Sequence, residues 1–388
     1  MKIIHTSDWH IGKLVHGVHL TADQQYLLNQ LTKLIEEEKP QVLIIAGDIY
    51  DRSVPPIEAV LLLDEILSQI LLQLNTKVII IAGNHDSPDR LGFANKILKS
   101  KGLTIAGSLP YTVEPIIIND QYGEVHFYPI PYTDYPVVRN LYEDKNIKSH
   151  DSAMLKILSH INKKLNPQVR NVCITHGYLL GGSDLITSDS ERPLAIGGSE
   201  YIDVEYFKHF NYVALGHLHQ AQKVKYNHIR YAGSLMKYSF SEAKQRKSVT
   251  IVNLAENGEV NIELKQLKPL RDLRVIKGEL KQLLVEESYK NTNINDYIKA
   301  DLTDKGELIN AMSKLRAVYP NILKLERKIA NDDAGDNKTS ASSDIFKKNS
   351  LELFKEFYEN ISKQEFTEEK QQVIASVINE LNIEGRQQ

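Results

Sequence analysis

Five apolar runs in this sequence end at once in side chains that bind cations. They are "KIIHTSDWH" (2–10), "QVLIIAGDIYD" (41–51), "KVIIIAGNHD" (77–86), "NVCITHG" (171–177) and "YVALGHLH" (212–219). The donors at their ends are Asp8, His10, Asp48, Asn84, His176, His217 and His219, with no thiolate among them. Buried strands of parallel sheets read as near-continuous apolar runs. Ligands in open α/β sheets sit beyond the carboxyl ends of such strands. In an extended segment residues i and i+2 point the same way, so Asp8 with His10, and His217 with His219, can each share a target. Seven donors are too many for one tetrahedral site and suit two ions sharing a bridging carboxylate. Imidazole and carboxylate donors favour Mn, Fe or Zn over an all-oxygen Mg or Ca site. Two divalent ions outweigh the charge of Asp8 and Asp48, and the surplus suits a phosphate oxyanion. Two such ions can activate water and clamp both oxygens of an in-line displacement. The chemistry expected is phosphoester hydrolysis.

The elements around these runs predict how they are held. Residues 24–38 carry Tyr26, Leu27, Leu31, Leu34 and Ile35 at helical spacing, and 57–74 do the same after Pro55-Pro56. Strands alternating with helices of this length predict α/β layers with parallel pairing. From Tyr226 the texture changes to strands, with a hairpin through Asn257-Gly258. The first domain is placed at 1–269. A smaller α/β unit is expected over 270–330, with strands in "LRVIKGEL", "DYIKADLT" and "ILKLERK" and helices near 281–289 and 306–318. Residues 331–343, "NDDAGDNKTSASS", have almost nothing to bury and read as a linker. Residues 344–388 read as helical: Leu351, Phe354, Phe357, Tyr358 and Ile361 mark one amphipathic face, and Thr367 is an N-cap candidate for a second helix.

Composition narrows the function classes. At 388 residues the chain suits two or three domains, given about 150 residues for each. Lys+Arg 47 against Asp+Glu 50 leaves a net charge of -3, so DNA binding has to come from a local patch or a partner. The single cysteine, Cys173, excludes a disulfide framework and a Cys-rich zinc site. It sits in an apolar strand and reads as buried. The start is not a signal peptide, and no apolar run approaches the ~20 residues of a membrane span. No membrane association is expected, and the location expected is cytoplasmic.

Taken together, Asp8-x-His10, Gly47-Asp48, Gly83-Asn84-His85-Asp86, His176 and Gly216-His217-Leu218-His219 resemble the calcineurin-like metallophosphoesterase motif set. The wording of "HTSDWHIGK", "AGDIYDRSVPP", "AGNHDS" and "GHLH" is similar to that of bacterial nuclease subunits related to double-strand-break repair nucleases. The resemblance implies a layered metallophosphoesterase sandwich, a small α/β capping domain and a C-terminal helical segment, 344–388, that docks on an SbcC-type ATPase. It implies a homodimer within a heterotetramer. It places Asp8, His10, Asp48 and His219 on one ion and Asp48, Asn84, His176 and His217 on the other, most simply two Mn2+. It makes His85 the substrate-side catalytic histidine. In related phosphatases a carboxylate three residues after the bridging Asp pairs with that histidine, and Asp51 keeps the spacing; a solvated loop carboxylate is the other reading.

The implied activity is DNA phosphodiester hydrolysis, as a double-strand exonuclease and single-strand endonuclease in end processing, recombination and repair. A small-molecule phosphodiesterase and a non-catalytic tethering scaffold are the competing readings. Asp86 is expected to hold its turn by hydrogen bonds, and His5 to pack in the sheet. His16 and His19 are expected in a polar loop near the site. The cluster 244–247, "KQRK", reads as a solvated face, and the long Gly/Ser-rich loop after residue 180 as a substrate-facing one.

Overall fold

The computed structural model describes residues 1–182, 185–192, 194, 201–328 and, further on, 354–355, 358–359, 366–367 and 370–374. The linker expected over 331–343 and most of 344–388 lie outside the described residues. The chain divides into two compact units, Met1–Arg327 and Lys328–Gln388.

In the first unit two six-stranded sheets lie face to face. One runs in the order Val260–Gln266, Ser248–Leu254, Lys2–Thr6, Val42–Ala46, Lys77–Ile81, Leu103–Ala106. Its last four strands are mutually parallel, as the alternation with helices predicts, and Ser248–Leu254 pairs antiparallel with Lys2–Thr6. The other sheet runs Gln222–Val224, Tyr226–Tyr231, Tyr212–Gly216, Arg170–His176, Gly123–Ile130, Ile116–Asp120. Because side chains alternate faces along a strand, each apolar run serves two cores. Ile3, Val42, Ile44, Ile79 and Ile81 meet Phe127, Val172, Ile174 and Ala214 between the sheets. Ile4, Leu43, Ile45, Val78 and Ile80 face the other way, onto Leu27, Leu31 and Ile35 of helix Thr21–Glu38 and Leu63 and Ile66 of helix Ile57–Ser68. Helix His150–Asn162 covers the second sheet through Met154, Ile157, Leu158 and Ile161. The result is a four-layered α/β sandwich of the metallophosphoesterase type.

Beyond the hairpin at Gly258 (φ +82°), three parallel strands, Leu273–Gly278, Tyr297–Leu302 and Ile322–Arg327, form a small sheet with its own core of Leu280, Leu283, Ile298, Leu315 and Tyr319. Leu273 and Tyr297 join it to the core of the first sheet, and charge fixes it further. Asp23, fully buried on the first helix, accepts from Arg271 at 2.9 and 2.5 Å and from the Tyr297 hydroxyl at 2.9 Å. In the second unit the rings of Phe354 and Tyr358 lie 5.9 and 5.4 Å from that of Phe366.

Candidate metal centre

The donors gather where strands of both sheets end. Lys2–Thr6, Val42–Ala46 and Lys77–Ile81 deliver Asp8, His10, Asp48 and Asn84; Arg170–His176 and Tyr212–Gly216 deliver His176, His217 and His219. The extended geometry expected at Asp8-x-His10 and at His217-x-His219 is not what aims them. The strands stop at Thr6 and Gly216, and Asp8, His10, Asp48 and His217 have φ of 53°, 44°, 52° and 112°. Non-glycine residues rarely hold positive φ, and such strain collects at functional sites. Here the turns bend back because the two sheets must bring donors to one point.

Glycines make that approach possible. A Cβ on Gly216 would stand 1.9 Å from the Ala46 carbonyl oxygen, one on Gly83 2.2 Å from Asp48 Oδ1, and one on Gly47 2.4 Å from His176 Nδ1. The glycine before Asp48, Asn84 and His217 is therefore part of the centre.

Among the described residues three groups of donors bring ligand atoms within 4.8 Å of one another: Asp8, His10 and His219; Asp8, Asp48 and His176; and, at the more open side, His10, Asp51 and His85. Asp8, His10, Asp48, His176 and His219 are buried, and Asp51 and His85 half-buried. His10 Nε2 lies 3.2 Å from His219 Nε2, and His176 Nε2 lies 2.9 Å from Asn84 Oδ1. His176 Nδ1 donates to the Ala46 carbonyl at 2.9 Å, so its Nε2 presents a lone pair to the lone pairs of Asn84 Oδ1. Asp48 Oδ2 stands 3.5 Å from His176 Nε2 and 3.7 Å from His10 Nε2, between the groups. The His217 ring packs edge-on against His176 at 5.5 Å, and its backbone N–H donates to both oxygens of Asp8 at 3.1 Å.

The electrostatics fit cations. Burial with Asp48 alongside raises Asp8 well above the carboxylate range. Burial likewise pushes Asp86 up to about 7, again with Asp48 adding to it. Burial, then neighbouring histidines, lowers His10 and His217 well below the ordinary imidazole value. Neutral imidazoles and crowded carboxylates with lone pairs converging are what divalent ions need. The donor set fits two of them.

His85 is half-buried beside the groups, its ring 4.7 Å from that of His10. Its backbone N–H donates to Asp48 Oδ1 at 2.9 Å, and its Nδ1 donates to the backbone carbonyl of Asp51 at 2.8 Å. The Asp51 carboxylate instead pairs with Lys13 at 2.7 Å, and its oxygen is 3.8 Å from His10 Nδ1. Pairing between His85 and Asp51 thus runs through the main chain, and the carboxylate is neither solvated nor on His85. Asp86 accepts from the backbone N–H groups of Ile49, Tyr50 and Gly83 at 3.1, 3.0 and 2.9 Å, tying two strand ends together. His5 is buried with Nδ1 2.8 Å from the Tyr212 hydroxyl, and Cys173 is buried.

Other residues at the centre escaped the motif pattern. Lys247, the last of the "KQRK" cluster, is buried and donates to Glu242 Oε2 at 2.5 Å and to the His219 carbonyl at 2.8 Å. Glu242 lies 3.4 Å from His219 Nδ1, and Ser190 Oγ touches that nitrogen at 2.8 Å. Glu191 accepts from the His219 N–H at 2.7 Å. Ser190 and Glu191 belong to the loop expected to face substrate. The only sign of this in the sequence is a Glu five residues before a Lys inside a basic run.

The calcineurin-like phosphoesterase profile matches residues 1–221, and one described as the type 5 capsule protein repressor C-terminal domain matches 269–362. The SbcD subunit of the nuclease SbcCD from Staphylococcus epidermidis is 35% identical over 368 residues, 95% of each chain. Among solved structures, a dimetal phosphatase from Danio rerio matches 70% of this chain and 98% of its own at 11% identity and a TM-score of 0.41. TT1561 of Thermus thermophilus matches 68% and 98% at 11% identity and a TM-score of 0.39. A profile covering more than half of the sequence, and a relative aligned over nearly all of it, establish that the chain belongs to the calcineurin-like phosphoesterase superfamily, in its SbcD-like branch.

Proposed function

We propose that this protein is the nuclease subunit of a DNA end-processing complex, hydrolysing phosphodiester bonds with two bound Mn2+ ions. The observation that carries the reading is Asp48 Oδ2 standing between His176 and His10, with His85 held beside them by Asp48 and Asp51. The name of the Staphylococcus epidermidis relative, a nuclease subunit, supports a nucleic acid as the substrate. In this reading Asp8, His10, Asp48 and His219 hold one ion and Asp48, Asn84, His176 and His217 the other. Such a pair, when bound, supplies Lewis-acid polarisation of the phosphate and activation of water. The chain's own contribution is positional. The Asp51 carbonyl can only accept, so His85 keeps its proton on Nδ1 and Nε2 is the nitrogen left for chemistry. Protonated there, His85 serves the departing oxygen as general acid.

Double-strand exonuclease and single-strand endonuclease action in recombination and repair, a cytoplasmic location, and assembly as a homodimer with an SbcC-type ATPase through residues 344–388 complete the proposal. The test is digestion of end-labelled duplex and single-stranded DNA by the full chain with the ATPase and Mn2+. Release of labelled nucleotide that stops with chelator is expected. Turnover of a phosphomonoester with no DNA cleavage would favour a small-molecule hydrolase, and absence of both would favour a scaffold.

A further inference from the structure

Glu242 is fully buried, and Lys247, which pairs with it, is buried too. Burying an ion pair is a weak source of stability, because desolvation offsets most of the attraction. Glu242 Oε1 also accepts from the Tyr238 N–H and the Ser239 hydroxyl at 3.3 Å, but both members of the pair meet at His219. Lys247 Nζ donates to the backbone carbonyl of His219 at 2.8 Å and to Gln245 Oε1 at 2.7 Å. Glu242 Oε1 faces His219 Nδ1 at 3.4 Å and accepts from the Ser190 hydroxyl, whose oxygen is 2.8 Å from the same Nδ1. A hydroxyl has one proton. With that proton given to the carboxylate, Ser190 shows Nδ1 a lone pair. Both neighbours of Nδ1 then accept, so Nδ1 carries the proton and Nε2 is left bare, 3.2 Å from His10 Nε2.

We infer that Glu242, Lys247 and Ser190 are positioning residues that fix the tautomer and orientation of His219 for the ion it shares with Asp8 and His10. The inference rests on the dimetal reading above. A carboxylate behind a ligating histidine orients the ring and raises its basicity, and its loss commonly costs about 10–100-fold in metal affinity. Lys247 has a separate part: it neutralises the carboxylate and pins the main chain of His219, so side chain and backbone are held by one pair. Ser190, with Glu191 on the His219 N–H, adds a second contact to the same histidine.

The test must separate positioning from packing, since removing one partner leaves the other charge buried and alone. Two double variants of the full chain remove both charges: Glu242→Gln with Lys247→Met keeps an oxygen for Nδ1, and Glu242→Leu with Lys247→Met does not. Mn2+ titration is read by calorimetry and electron paramagnetic resonance, beside thermal unfolding of the metal-free proteins. The wild type should bind two ions. The Leu/Met variant should lose affinity for one of them by about 10–100-fold, and the Gln/Met variant by clearly less, with the second ion unchanged in both. Wild-type affinities in both variants would overturn the inference, as would equal losses that follow a shared drop in unfolding temperature. Nitrogen NMR of the metal-free wild type gives a check independent of the variants: His219, identified by its absence in His219→Gln, should be protonated on Nδ1, and protonation on Nε2 would overturn the assignment. Failure of the wild type to bind two ions would instead refute the dimetal reading itself.

Discussion

The Nε2 atoms of His10 and His219 stand 3.2 Å apart although their residues follow strands of different sheets. Two imidazole nitrogens at that distance need a proton or a cation between them. The centre is thus built across the joint of the sandwich.

Asp48→Ala should abolish DNA hydrolysis and empty both positions, because the lost oxygen is the one between His176 and His10. Metal analysis after dialysis checks this. A second readout is thermal: an ion at 100 times its dissociation constant stabilises by about 2.7 kcal/mol. Mn2+ should therefore raise the unfolding temperature of the wild type but not that of Asp48→Ala.

His85→Ala should keep both ions and lose turnover by about 10²–10⁴-fold, the range for a positioned acid. Single-turnover cleavage with the metal-replete variant measures it. Near-normal cleavage would return His85 to a structural role.

Asp51→Asn separates main chain from side chain. The carbonyl that holds His85 Nδ1 survives the substitution, while the Lys13 partner is lost. Cleavage should fall far less than in His85→Ala, and a loss as large would show that the carboxylate itself acts.

Gly216→Ala should destabilise the protein by about 1–3 kcal/mol, the usual cost of overpacking. Its Cβ would press on the Ala46 carbonyl oxygen, a backbone atom of the facing sheet. Gly177→Ala, whose Cβ meets only the mobile end of Ile202 at 3.3 Å, is the control and should cost less. Denaturant unfolding of the two decides it.

Asp51→Asn and Gly216→Ala probe features that the sequence does not show. The donors of the centre were legible because each follows an apolar run, and the strands deliver them to one edge. The left-handed turns at Asp8, His10, Asp48 and His217 were not legible, since none of these residue types signals positive φ as glycine does. Nor was the role of the glycines as sheet-to-sheet contacts, which depends on two strands far apart in sequence. Lys247 looked like part of a solvated basic run because its partner, Glu242, is acquired only on folding. The Asp51 carbonyl escaped because every residue carries one.

A chain ending at Ser343 should keep both ions and fail to co-purify with an SbcC-type ATPase. The compact unit that holds the centre ends at Arg327, well before that point. Loss of metal with partner binding retained would assign residues 344–388 to the nuclease unit instead.

The most direct measurement is anomalous diffraction at the manganese edge from crystals grown with Mn2+. Two peaks about 3.5–4 Å apart are expected, one beside His10 and His219 and one beside His176 and Asn84, with the Asp48 carboxylate between them. A single peak, or two peaks that do not share Asp48, would contradict the dimetal centre.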